Sequence, residues 1–170
     1  MTRRDLIHKW SVYALGLLLV WVLDAYILPR YPLLGISPML LPPALAAVAV
    51  LEGAFAGTGF GLAVGLLWEL AYPGGFGGLV FFMALAGMAM GALSQYALSQ
   101  SLSGCLLCTA GVLAALDGLR VLGRLITDAA ALPVLLRVVL PECLLTLAWT
   151  PLVYLLFRTI FNRVGGTRLA

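Results

Sequence analysis

The chain has 170 residues, of which 63% are hydrophobic and 10% charged, with a formal net charge of +3. Soluble proteins carry roughly 25% charged residues, so this composition excludes a water-covered globule and implies an integral membrane protein. A crossing takes about 20 apolar residues, and the runs present leave only short loops and two tails, with no segment for a soluble catalytic or ligand-binding domain.

The chain opens with a basic segment, Arg3 to Lys9, followed by an apolar run from Trp10 to Leu28 broken only by Asp24. The run is longer than a signal-peptide core and lacks a small-x-small cleavage site, so it reads as an uncleaved first span over 10–28. Trp10, Tyr13, Trp21 and Tyr26 lie near its ends as interfacial anchors. Pro29, Pro32, Gly35 and Pro38 then punctuate a loop.

From Met39 to Tyr72 the sequence stays apolar for too long to be one helix in a bilayer about 30 Å thick. Glu52-Gly53 marks the expected turn, which divides the run into two short spans, 39–52 and 57–72. Spans this short need bilayer thinning or protein neighbours to cross. Pro73, Gly74 and Gly75 break the chain again, and a fourth span is expected over 76–98 and a fifth over 102–126. After a turn around Asp128 comes a sixth, 134–161, in which Pro141 and Pro151 are tolerated if neighbours satisfy the freed carbonyls. The expectation is therefore one all-α domain, a bundle of about six transmembrane helices covering 1–170.

With both termini cytoplasmic, Arg3, Arg4, Lys9, Arg158, Arg163 and Arg168 fall on the inner side, and Arg30 is the only basic residue clearly in an outer loop. Charges placed this way orient spans, and nucleic-acid binding is not implied. No internal repeat supports an inverted-repeat transporter. Lys9 is the only lysine and His8 the only histidine, so neither is expected to anchor a cluster.

Gly53, Gly57, Gly61 and Gly65 recur at four-residue spacing, with Gly87 and Gly91 in the following span. That spacing lines one helix face and admits close approach of another backbone, either inside the bundle or from a different protein. The GxGxG run of Gly57, Gly59 and Gly61 has no strand, βαβ unit or distal acidic residue, and is not a dinucleotide site.

Acidic residues inside apolar runs are costly unless interfacial, paired, protonated or functional. Asp24 and Glu52 fall near span ends and read as interfacial; Glu69, close to Pro73, is expected near the outer surface, as an interfacial residue or a partner contact. Asp117, Arg120, Arg124, Arg137 and Glu142 form a candidate buried polar network. Within it Asp117 and Arg120 share a helix face, and Asp117 with Arg137 is a possible cross-helix pair. Cys105 and Cys108 enclose two leucines, have no second pair, and read as buried small apolar side chains rather than a zinc or redox site. No serine has a base in a plausible triad, so no catalytic, metal or cofactor residue is assigned.

The order of these features resembles the MreD family of the bacterial rod-shape machinery. The resemblance runs from about Pro38 to Arg163. It rests on a proline-bearing second span (Pro38, Pro42, Pro43) ending at Glu52-Gly53, and on the segment GTGFGLAVGLLWELAYPGGFG, in which Gly57, Gly61 and Gly65 lead to Glu69 and Gly77. It ends in a last span with Pro141, Pro151 and Tyr154 running into the basic tail LFRTIFNR. MreD proteins commonly carry Asp where this chain has Glu69.

The resemblance implies a non-enzymatic scaffold in the bacterial cytoplasmic membrane. Its expected partner is MreC and, through it, RodA, a class B penicillin-binding transpeptidase and MreB. Gly53, Gly57, Gly61, Gly65, Glu69 and Gly77 are the expected packing or partner-contact residues. MreD proteins are also similar in layout to the S components of energy-coupling-factor vitamin transporters, which supplies the alternative of a vitamin-capturing protein. Against it, the first span lacks an alanine-spaced coupling face, reading Ala14 and then bulky Leu17 to Val20.

Overall fold

In hydrocarbon a backbone must satisfy its own polar groups, and α-helices do so within one segment. The computed structural model describes residues 3–30, 37–71, 77–96, 100–126 and 132–164, and among these there are six α-helices and no strand. They are α1 (Arg3–Val22), α2 (Leu41–Glu52), α3 (Ala54–Ala71), α4 (Gly78–Tyr96), α5 (Leu102–Ile126) and α6 (Leu132–Val164). The first helix continues as a π-helical turn, Leu23–Ile27, and a 3-10 turn, Leu28–Arg30. Five stretches, Ile7–Arg30, Ala54–Ala71, Gly78–Tyr96, Leu102–Gly123 and Val139–Val164, are long and apolar enough to cross a membrane. The chain is an all-α, multi-pass membrane bundle.

The exception is α2. Its 12 residues rise about 18 Å, short of the roughly 30 Å hydrocarbon core, so α2 does not match the bilayer as the other helices do. Every residue from Leu41 to Leu51 is buried. A helix apolar on all sides needs protein on all sides, and α2 touches α1, α3, α4, α5 and α6. It is the axis of the molecule, and the longer helices shield both its ends.

Pairings along the axis show the chain alternating between two faces. Lys9 of α1 meets Glu52 at the end of α2, and Gln100, just before α5, donates to the Leu51 carbonyl there. At the opposite face Asp24 meets Leu40 at the start of α2, and Cys143 of α6 meets Asp117 of α5. The two faces are called below the Glu52 end and the Asp24 end. Both the start of α1 and the end of α6 lie at the Glu52 end.

The glycine spacing is spent inside the bundle. A Cβ on Gly57 would strike the Gly87 carbonyl, one on Gly61 the Met83 carbonyl, and one on Gly65 would stand 2.6 Å from the Val80 Cα. Gly87 and Gly91 return the contact from α4, so α3 and α4 meet backbone to backbone. Gly53 also packs on α4, where a Cβ on Gly91 would stand 2.5 Å from the Gly53 carbonyl carbon, whereas Gly77 does not belong to this face. Gly53 forms the α2–α3 turn at φ +91°, where a Cβ would meet Gln95; Gly77 has φ +73° ahead of α4 and open space around it.

Candidate functional site

The polar residues of this chain gather at the two ends of α2. At the Glu52 end, Lys9 Nζ lies 2.6 Å from Glu52 Oε2, with side chains only 7% and 2% exposed. Tyr13 donates its hydroxyl to Glu52 Oε1 at 2.9 Å. The structure corrects one expectation here: Lys9 does anchor a cluster, with Glu52 at the end of α2 as its buried partner. Burial of either charge alone is prohibitive, and each makes the other tolerable. Gln100 Nε2 donates to the Leu51 carbonyl at 2.9 Å, closing one of the acceptors that a helix C-terminus leaves open. These contacts tie α1 and Gln100, just before α5, to the end of α2.

The Asp24 end is organised around the start of α2. A helix leaves its first four N–H groups without intrahelical acceptors, and in a buried helix each needs an answer. Pro42 and Pro43 have no N–H to satisfy. The Leu40 N–H donates to Asp24 Oδ1 at 2.7 Å, and the Met39 N–H to Thr146 Oγ1 at 3.0 Å. Asp24 thereby places a carboxylate at the positive end of α2. It is 6% exposed.

Beside this junction is a cavity of about 400 Å³ lined by Asp24, Ser37, Pro38, Met39, Trp68, Arg120 and Glu142. Arg120 Nη1 lies 3.4 Å from Asp117 Oδ1 and 3.7 Å from the Met39 sulfur, and the guanidinium sits 5.5 Å from the centre of the Trp68 ring. Asp117 Oδ2 accepts from the Cys143 thiol at 3.0 Å. Asp117 is thus buried and satisfied, while Arg120 is 39% exposed at the cavity rim.

The expected polar network is brought together only in part. Asp117, Arg120 and Glu142 converge here. Arg137 is exposed and is not the partner of Asp117, because the i,i+3 spacing on α5 and the Cys143 thiol supply Asp117 instead. The side chain of Arg124 lies outside the described residues. Glu69 stands apart: one carboxylate oxygen, Oε1, is buried with no hydrogen-bond partner among the described residues.

Sequence reasoning missed Trp68, Cys143 and Thr146, which read as ordinary apolar or helical residues. Trp68 directly precedes Glu69, and Cys143 directly follows Glu142; adjacency to an intramembrane acid was the available signal. Cys105 and Cys108 are buried, and no group of three His, Cys, Asp or Glu able to hold a metal occurs among the described residues. No protein-family model, no curated protein and no solved structure matches this chain.

Proposed function

We propose that this chain is a non-enzymatic membrane scaffold of the MreD kind, binding MreC and through it helping to position RodA and a class B transpeptidase. The observation that carries the reading is the seam between α4 and α5. These neighbours barely touch, and an apolar groove of about 420 Å³ runs between them, with Ala86, Ala89, Gly111 and Ala115 among its lining. Gly111 has open space where a Cβ would stand. Small residues along an open seam suit close approach of a further transmembrane helix, and the MreC span is the occupant assigned to it. The α3 glycine face is already occupied by α4, so it does not serve this role.

In this reading the Glu52 end is cytoplasmic, since Arg3, Arg4, Lys9, Arg158 and Arg163 belong to helix ends there. The Asp24 end, with Arg30, Arg120 and Arg137, then faces outward. Co-expression with MreC and affinity capture tests the reading: MreC co-purifies with the wild type and is lost when Gly111→Phe fills the seam. One observation favours the alternative of a vitamin-capturing S component, namely the polar cavity at the Asp24 end. Tight binding of a vitamin to the purified chain, without MreC association, would select it.

A further inference from the structure

We propose that this bundle is matched to a hydrocarbon layer of about 22–26 Å rather than the usual thickness of about 30 Å, and that the lipids it fits are phospholipids with short acyl chains. The inference rests on the chain spanning a membrane and is independent of the scaffold reading.

The polar side chains fall into two tiers, each tied together by contacts across helices. At the Glu52 end, Lys9 pairs with Glu52 and Gln100 donates to the Leu51 carbonyl. Tyr154, whose ring lies under the Arg158 guanidinium, donates its hydroxyl to the Gln100 carbonyl at 3.3 Å. At the Asp24 end, Asp24 accepts from the Leu40 N–H, Arg120 lies against Met39 and over Trp68, the neighbour of Glu69, and Glu142 lines the same cavity. Hydroxyls between the tiers, such as those of Thr58, Thr109 and Thr150, donate to carbonyls of their own helices and offer the surroundings no free donor.

The separation of the tiers can be read along each of the longer helices. At a rise of about 1.5 Å per residue, Lys9 to Asp24 in the first helical segment and Ala54 to Glu69 on α3 each cover about 22 Å, and Glu142 to Arg158 on α6 about 24 Å. Gly78 to Gln95 on α4 and Ser103 to Arg120 on α5 each cover about 26 Å. Helix tilt shortens all of these along the membrane normal, and α2, which carries a tier at each end, rises only about 18 Å. The tiers meet lipid where Gln95 and Arg158 are exposed at one end and Arg120 is 39% exposed at the other. A charge held in hydrocarbon is costly, so a bilayer with a core of about 30 Å must thin by about 4–8 Å beside the protein or give way there to shorter lipids. Association with other helices relieves the same mismatch, so the thin belt also favours assembly.

The test reconstitutes the full-length chain in dimyristoleoyl, dipalmitoleoyl, dioleoyl and dierucoyl phosphatidylcholine and follows thermal unfolding in each. The midpoint is expected to be highest in one of the two shorter lipids and roughly 3–6 °C lower in dierucoyl phosphatidylcholine. Arg158→Leu, which strips an exposed charge from one tier, is expected to move the optimum to the next longer lipid; Gln95→Leu gives the same reading on α4 if that variant does not fold. Electron cryomicroscopy of the wild type in dioleoyl nanodiscs measures the geometry without unfolding, and the two headgroup layers are expected to lie about 4–8 Å closer together beside the protein than at the disc edge. An optimum in dioleoyl or dierucoyl lipid, a midpoint indifferent to chain length, an optimum that stays fixed in the folded variant, or headgroup layers of uniform separation would each overturn the proposal. No partner protein takes part in these measurements, so failure here leaves the scaffold reading standing.

Discussion

Lys9 and Glu52 are 43 residues apart in sequence and 2.6 Å apart in space. Helix-periodicity arguments reach only one turn along a chain, so nothing local could pair them. What was legible was the anomaly, an acid at the end of an apolar run. Removing one partner of a buried pair strands the other charge, so Lys9→Met is expected to destabilise the protein by about 3–5 kcal/mol, measured by denaturation in detergent. Replacing Glu52 by Gln in the same chain should recover part of that loss. Asp24→Ala leaves the Leu40 N–H without its acceptor at a buried helix start and should cost about 1–3 kcal/mol, whereas Asp24→Asn should cost less. Equal losses for the Ala and Asn variants would show that the cap does not hold α2 in place.

Among the elements, the third and fourth helices were the most legible. Four-residue glycine spacing has a single geometric meaning, a flat helix face, and the structure fills that face with α4. The occupant was not legible, because spacing carries no identity for the opposing backbone. Gly57→Leu or Gly61→Leu must separate two backbones in contact and should cost about 3 kcal/mol or more. Gly59→Leu, with no atom within 4 Å of its Cβ position, should leave the unfolding midpoint unchanged. The second helix was legible as short and apolar but not as central. Its Pro42-Pro43 pair, read as a family feature, also removes two N–H donors from a buried start. Ala49 is fully buried at the axis of the bundle, and Ala49→Leu should cost about 1–3 kcal/mol by overpacking.

For the whole molecule, composition and run lengths were enough to establish an all-α membrane bundle, because bilayer thickness dictates how much apolar sequence each crossing uses. The polar sites were legible only as single charged residues. Asp24, Glu142, Trp68 and Arg120 come from four different helical segments, and only the packing of α2 among its neighbours brings them to one cavity. With the glycine face of α3 packed on α4, the scaffold proposal turns to the apolar groove between α4 and α5.

The central claim is that this bundle binds MreC along that seam, and co-expression followed by affinity capture of either protein tests it most directly. Stoichiometric recovery is predicted for the wild type and for Gly59→Phe, which points away from the seam, with loss for Gly111→Phe while that variant keeps the wild-type unfolding midpoint. Absence of MreC from the wild-type capture, or full recovery with Gly111→Phe, would contradict it.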